Sequence, residues 1–307
     1  MKIAVTGGTG FVGGFVVNEL LRRGHEPLVV ARRPDEARSR FNRPVAAAAG
    51  EVSDTASLYR AFAGCDAVVH LVGIIHEKEG RSFDAVHRQG AENVVEAMKK
   101  TGVRRLVHMS AMGSSADSPS EYGRTKAAGE EAVRRSGLDA TIFRPSVIFG
   151  PGDGFVTLLA TVVRGNPGFI PVIGPGTVRF MPVAVREVAR IFADALEKPE
   201  SVGKTFEVGG PETLTMNEIY REIAAALGKP RKPLVHLPIA WGRLLAAGMA
   251  VLPNPPLTAD QLRSLSRDNV GDVEPTAALF GAPGTKFADG IREYVHPKSR
   301  HDPRIGI

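Results

Sequence analysis

Read for its apolar and polar positions, the chain opens on a short uninterrupted run, Lys2-Ile3-Ala4-Val5-Thr6, the pattern of a strand buried on both faces. A glycine-rich turn follows, Gly7-Gly8-Thr9-Gly10-Phe11-Val12-Gly13. Then Val12, Val16, Val17, Leu20 and Leu21 recur at helical spacing as far as Gly24. The same rhythm continues downstream. Residues 27–31 predict a second strand, 45–49 a weaker third, 66–73 a fourth with its exit turn, and 105–110 a fifth. Helices are predicted between them: one capped by Asp54 and running through Leu58 and Phe62, one over 83–100 ending near Gly102, and one opening at Tyr122 and running through Val133. Strands alternating with helices at this spacing predict a parallel sheet with right-handed crossovers. Residues 139–149 read as a sixth strand interrupted by Arg144-Pro145. An interior proline there suits a sheet margin, a bulge, or backbone facing a ligand.

Past that point the rhythm loosens. Helices are predicted over 155–163, 183–197, 216–227 (capped by Thr215) and 258–265, with a short strand at 204–208, a loop over 165–176 and a turn at 253–256. The stretch 239–252 is strongly apolar, contains Arg243, and is too short to span a bilayer. It reads as a packed helix of a C-terminal lobe, with an apolar ligand wall or a membrane-surface contact as the alternative. The fold class expected is α/β: a Rossmann doubly wound parallel sheet with a smaller C-terminal substrate lobe. Residues 1–150 would form the dinucleotide-binding domain, with 177–208 returning to it. Residues 151–176 and 209–296 would form the lobe, and 297–307 a frayed tail.

Composition narrows the classes. Cys65 is the single cysteine, which excludes an internal disulfide and a cysteine-built metal cluster and suits a reducing compartment. The chain opens directly on a strand, so a cytoplasmic location is expected, peripheral to a membrane if the apolar lobe stretch touches one. A formal charge of +6 invites a nucleic-acid reading. The Lys and Arg residues are scattered, however, and only four Tyr and one Trp are available for stacking, so no nucleic-acid partner is expected and the basic surface is assigned to an anionic cofactor. His70 lies within an apolar run and reads as a sheet histidine. Residues 76–80 lack the second histidine of a zinc-protease helix, so no metal is expected. Residues 201–205 resemble the tail of a phosphate-binding P-loop, but Lys198 stands where the first glycine belongs.

Three stretches carry chemistry. Glycines at 7, 10 and 13 allow a tight turn off the strand, close approach of backbone N–H groups to a pyrophosphate, and close packing of helix on sheet. The helix start adds unpaired N–H groups and partial positive charge. At the end of the second strand, where an acidic residue would accept from an adenosine ribose, stands Ala31 followed by Arg32 and Arg33. Guanidinium forks suit a 2′-phosphate, so NADP(H) is expected in preference to NAD(H). Finally, Tyr122 and Lys126, four apart on one helical face, place an ammonium beside a phenol. The charge is expected to lower the tyrosine pKa toward working pH, making it an acid/base for a carbonyl/alcohol pair.

Taken together, Thr6 to Gly13, Asp66-Ala67-Val68-Val69-His70-Leu71, Tyr122-x-x-x-Lys126 and Arg144-Pro145-Ser146-Val147-Ile148-Phe149-Gly150-Pro151-Gly152 resemble the extended short-chain dehydrogenase/reductase superfamily. Phe180-Met181-Pro182-Val183, Phe206-Glu207-Val208-Gly209-Gly210-Pro211 and Pro256-Leu257-Thr258-Ala259-Asp260-Gln261-Leu262 look like its atypical, epimerase/dehydratase-like branch, which includes the 39-kDa accessory subunit of respiratory complex I. The resemblance implies that Gly7, Gly10 and Gly13 hold the pyrophosphate, with Thr9 among the cofactor-binding residues and Phe11 and Val12 starting the helix beneath it. Arg32 and Arg33 would meet the 2′-phosphate, Glu51 and Val52 the adenine, and Leu71, Val72 and Gly73 the adenosine side. Tyr122 would be the acid/base, Lys126 would grip the nicotinamide ribose, and Pro145 and Val147 would lie against the nicotinamide. The usual active-site hydroxyl aligns with Ala111, leaving Ser110 as the nearby candidate, and the usual asparagine aligns with His87. The reading is an oxidoreductase acting on a small molecule, apolar or quinone-like. The alternative is a non-catalytic or redox-sensing module whose lobe contacts a protein or lipid.

Overall fold

The computed structural model describes residues 1–77, 80–249, 258–264 and 266–297. The expected turn at 253–256, the end of the apolar stretch and all but the first residue of the expected tail lie outside them. In chain order come β1 (Lys2–Thr6), α1 (Phe11–Arg22), β2 (Glu26–Ala31), α2 (Pro34–Arg38), β3 (Ala46–Ala49), α3 (Thr55–Phe62), β4 (Ala67–His70), α4 (Gly90–Thr101), β5 (Arg105–Met109), α5 (Glu121–Arg134) and β6 (Asp139–Pro145). Then follow β7 (Ile148–Phe149), α6 (Phe155–Gly165), β8 (Ile170–Ile173), β9 (Arg179–Phe180), β10 (Val183–Ala184) and α7 (Val185–Glu197). The remainder is β11 (Thr205–Val208), β12 (Leu214–Thr215), α8 (Met216–Ala226), β13 (Leu234–Leu237), α9 (Ile239–Met249), α10 (Ala259–Ser264), α11 (Glu274–Phe280) and α12 (Phe287–Ile291).

The main sheet has seven strands in the order β11-β6-β5-β4-β1-β2-β3, and every pairing within it is parallel. This is a Rossmann-like sheet flanked by helices. The strand order reverses between β1 and β4, and a crevice opens beyond the carboxyl ends of strands at such a point. Burial on both faces follows from the side-chain alternation. Ile3 and Val5 join the core beneath α1 and α7, whereas Ala4 joins the core beneath α3, α4 and α5. Local chemistry sets the helix starts: Asp54 accepts from the N–H groups of Ala56 and Ser57 at α3, and Thr215 with Glu218 closes a capping box on α8.

The interrupted sixth strand resolves into two. Pro145 is the last residue of β6, and β7 pairs instead with β10. The stretch expected to be a loop over 165–176 contains β8, which pairs in parallel with β13. The helix predicted over 83–100 starts with a π-helical turn, Ala85–Gln89, before α4. Around β8, α6, α8 and α12 a separate apolar core forms, including Phe149, Val156, Ile170, Ile219 and Phe287.

An ion cluster fastens the site-bearing helix to the sheet. Glu130 of α5, fully buried, accepts two bonds from Arg144 of β6, at 2.8 and 2.7 Å, and a third from Arg134 at 2.7 Å. Removing one partner of a buried pair leaves an undercompensated charge. Arg144→Leu is therefore expected to lower stability by about 2–3 kcal/mol, somewhat less than a fully unpaired case because Arg134 remains. Urea unfolding measures it, and a change within error of zero would mean that the Glu130–Arg144 pair does not contribute to stability.

Candidate active site

The turn between β1 and α1 is held by backbone crowding. Gly7 has φ +78°, and a Cβ on it would sit 3.0 Å from the Leu71 carbonyl carbon. A Cβ on Gly13 would lie 2.1 Å from the Gly7 oxygen and 2.7 Å from the Gly8 Cα, so α1 can approach the strand only because position 13 has no side chain. Gly10 starts α1, and no side chain caps it. Side chains accept from opening N–H groups of α3, α5 and α8, whereas α1, like α7, has no such cap. The first turn of α1 thus presents its N–H groups and the positive end of its dipole to an anion. The residues present fit a dinucleotide pyrophosphate.

A cleft at the switch point is lined by Thr6, Gly7, Thr9, Gly10, Val30, Ala31, Arg32, Gly50, Glu51, Val52, Leu58, Leu71, Val72, Gly73 and Arg81. Of the residues named from sequence, it brings together Gly7, Thr9, Gly10, Arg32, Glu51, Val52, Leu71, Val72 and Gly73. Phe11, Val12 and Gly13 lie just behind, in α1. Phe11 packs against Phe15 and the Gly150–Gly152 turn. Arg81 was not anticipated. It pairs with Glu51 at 2.9 Å, across the rim, and nothing local in the sequence links the two. Pro145 and Val147 do not line the cleft. Their backbone carbonyls accept from Met112 and Val183, which ties the segment to the loop after β5 and to β10.

At the inner end of the cleft, a Cβ on Gly73 would lie 3.6 Å from His87 Nε2 and 3.7 Å from Lys126 Nζ. Lys126 is buried and donates to the Met109 carbonyl at 2.6 Å. Burial lowers its pKa to about 8, with Glu130 pulling the other way. Tyr122 stands edge-on to Phe83 and His87, with ring centroids 6.0 and 5.3 Å away. Its phenol is pushed up to about 12 by burial. The expectation that Lys126 pulls the tyrosine pKa down is therefore corrected, because in the protein alone desolvation dominates and the ammonium is engaged by Met109.

A pH signature follows for Lys126. Its folded pKa lies below the ordinary lysine value of about 10.4, so between about 8 and that value the unfolded chain holds a proton that the folded chain has shed. Stability is expected to rise with pH across that window, and the penalty is present in full below it. Urea titrations should show wild type gaining stability relative to Lys126→Met as pH rises from about 8 to 10. A difference constant with pH would mean that Lys126 keeps its ordinary pKa.

Three buried histidines surround the ammonium without joining it. His87 Nε2 accepts from the Ile74 N–H at 3.1 Å, which leaves Nδ1 to carry the proton and meet Thr125 Oγ1 at 3.0 Å. His87 is thus held neutral, its pKa lowered to about 3 by burial and by Lys126. His70 is the satisfied sheet histidine expected, with Nδ1 2.7 Å from Thr6 Oγ1, and it stacks on His108. Ser110 is buried with its hydroxyl 3.5 Å from that of Ser114, so the loop brackets Ala111 with two hydroxyls.

Two further residues come from far along the chain. Asp260 of α10 accepts from the N–H groups of Glu121 and Tyr122, at 2.8 and 3.1 Å, while Ser120 accepts from Gly123. The first turn of α5 is thus held jointly by its own cap and by a carboxylate from the far end of the chain. Asn269 accepts from Ser146 Oγ at 2.6 Å and donates to the Met112 carbonyl at 2.9 Å. A separate groove between α4 and α5, lined by Glu92, Glu96, Lys99, Glu131 and Arg135, holds none of this constellation. Among the described residues no group of His, Cys, Asp and Glu could hold a metal ion, and no helix is long and apolar enough to cross a membrane.

Residues 3–209 match the NAD dependent epimerase/dehydratase family. The chain is 32% identical, over 93% of its length and 72% of the relative's, to NADH dehydrogenase [ubiquinone] 1 alpha subcomplex subunit 9, mitochondrial, of Arabidopsis thaliana. It is 30% identical to the ceramide reductase of Caulobacter vibrioides over 77% of this chain and 73% of that one. Among solved structures, UDP-glucose 4-epimerase of Thermus thermophilus in complex with NAD superposes with a TM-score of 0.74 at 23% identity, covering 95% of this chain and 97% of that one. A dTDP-glucose 4,6-dehydratase double mutant from Streptomyces venezuelae with NAD bound gives 0.73 at 22% identity, covering 96% of each chain. The fold is that of NAD(P)-dependent oxidoreductase and epimerase-like enzymes. These structures hold NAD, and they overturn the NADP(H) preference drawn from Arg32 and Arg33. The local geometry supplies a reason: Arg33 is largely exposed and pairs with Glu36 at 2.9 Å, three residues on.

Proposed function

The chain belongs to the NAD dependent epimerase/dehydratase family, on a branch closely related to the 39-kDa accessory subunit of complex I, and from that premise we propose that it is an NAD(H)-dependent oxidoreductase using Tyr122 and Lys126 on a largely apolar substrate. The observation that carries this is Gly73. It lines the cleft, and a Cβ built on it would lie 3.7 Å from Lys126 Nζ, so the ammonium of α5 stands at the end of the cleft behind a residue with no side chain.

Gly7, Gly10 and the first turn of α1 would hold the pyrophosphate, with Glu51, Val52 and Arg81 toward the adenine end and Lys126 toward the nicotinamide ribose. When bound, NAD supplies a hydride acceptor, or NADH a donor. The residues of the chain handle the proton. The Tyr122 phenol, protonated across the physiological range, gives its proton to the substrate oxygen in reduction and recovers one from solvent afterwards. Lys126, turning from Met109 toward bound ligand, would favour the transient phenolate. Ser110 and Ser114 would supply the hydrogen bond to the reacting oxygen that Ala111 cannot make.

An apolar substrate is favoured by relatives whose names include a ceramide reductase and a sterol demethylase protein B. The activity would lie in the cytoplasm, next to membranes where such substrates reside. A second reading, a non-catalytic NAD(H)-holding module whose lobe meets a protein or lipid, is favoured by Ala111 and by the Lys126–Met109 bond. The test is hydride transfer from NADH deuterated at nicotinamide C4 to a panel of long-chain ketones and quinones. Label in product supports the enzyme, while tight NADH retention with no transfer across the panel supports the module.

A further inference from the structure

Helix α9 exposes large apolar residues to water. It packs on the lobe through small residues: Gly242, where a Cβ would lie 2.6 Å from Ile173 and 3.4 Å from Leu262, and Ala246, which is buried. Trp241 and Leu244 face outward, 57% and 65% exposed, and Ile239, beside Gly174, is 49% exposed. Arg243, Ala240 and Ala247 share that outer surface. A helix stabilised by water would show the reverse arrangement, because amphipathic helices bury the large apolar face. On the same unit, Val235 of β13 and Phe169, just before β8, are exposed as well. A patch of this kind marks a contact surface.

Its charge identifies the occupant. No Asp or Glu stands between Glu222 and Asp260, whereas Lys229, Arg231, Lys232, His236 and Arg243 all do. Lys229, Arg231, His236 and Arg243 are exposed. Two copies of such a face would repel each other. An anionic bilayer surface complements it: Trp favours the interface between headgroups and chains, Ile and Leu enter the acyl boundary, and Arg keeps its charge in the headgroup layer. We propose that α9 and the adjoining β8–β13 pair seat this protein on an anionic lipid surface. This goes beyond the redox reading and stands whether or not Tyr122 catalyses. It also gives the lobe a route to the site, since Leu262, against Gly242, and Asp260, on the N–H of Tyr122, belong to the same helix α10.

Trp241 is the only tryptophan in the chain, so its emission reports this face alone. The experiment adds vesicles of phosphatidylcholine, with or without phosphatidylglycerol, to the full chain and reads emission and co-sedimentation. Phosphatidylglycerol vesicles should shift emission to the blue and sediment at least about tenfold more protein than phosphatidylcholine alone, less so at high salt. Leu244→Glu and Arg243→Glu should each lose most of both signals while binding NAD like wild type, which shows that they fold. Three results would each overturn the proposal. One is no shift and no sedimentation with phosphatidylglycerol, which would leave a protein partner as the occupant. Another is equal sedimentation of wild type and Leu244→Glu. The last is a blue shift that follows protein concentration without vesicles, the mark of a second copy on this face.

Discussion

Tyr122→Phe is expected to lower hydride transfer by about 10²–10⁴ while leaving NAD(H) affinity within a few-fold, because general acid–base catalysis is worth that much and the ring keeps its packing. The ring stands edge-on to Phe83 and His87, and removing its oxygen disturbs neither contact. The variant therefore separates chemistry from folding, and single-turnover oxidation of bound NADH measures it. Lys126→Met should fall as far or further, since it removes the ammonium proposed to grip the nicotinamide ribose and, once ligand is bound, to favour the phenolate. If Tyr122→Phe transfers hydride as fast as wild type, another group carries the proton.

Gly13→Ala is expected to weaken NAD binding on the order of 100-fold, equivalent to about 2.7 kcal/mol. The added methyl would meet the Gly7 oxygen at 2.1 Å and the Gly8 Cα at 2.7 Å, both rigid backbone atoms of the turn proposed to hold the pyrophosphate. Overpacking there should also reduce stability by about 1–3 kcal/mol. Gly8→Ala is the matched control. Its Cβ would meet only Val29 and Val17 side-chain methyls, at 3.2–3.4 Å, which can give slightly, so affinity should change little. Calorimetric titration with NADH reads both. Equal losses in the two variants would mean that general damage to the turn, not the helix–strand approach at position 13, sets affinity.

Central strands such as β1 and β4 are readable because they are buried on both faces and so appear as unbroken apolar runs, whereas the edge strand β3, with no buried residue, gives the weaker signal. β8 and β13 are not readable. Each is four residues long, and β8 contains Pro171 within a stretch rich in glycine and proline, where only the pairing of one with the other makes a strand. The apolar run at α9 showed a helix but could not show which side packs, since Gly242 and Ala246 carry no periodic signal.

The glycine turn and the Tyr-x-x-x-Lys pair are local patterns and so stand out in the sequence. Asp260 and Asn269 reach the site from 138 and 157 residues away, and their roles follow from tertiary placement alone. Two inferences from neighbouring residues failed for related reasons. Arg33 found Glu36, and the Lys126 ammonium found a backbone carbonyl rather than acting on the phenol. A charge in sequence proximity to a target chooses the nearest acceptor that folding supplies.

A crystal structure of the chain with NADH bound tests the central claim most directly. It should place the pyrophosphate on the N–H groups opening α1, the nicotinamide beside Gly73, and the Tyr122 hydroxyl and Lys126 ammonium on its ribose and reacting face. A dinucleotide bound elsewhere, or one seated in the cleft with Tyr122 turned away behind His87 and Lys126 still on Met109, would contradict it.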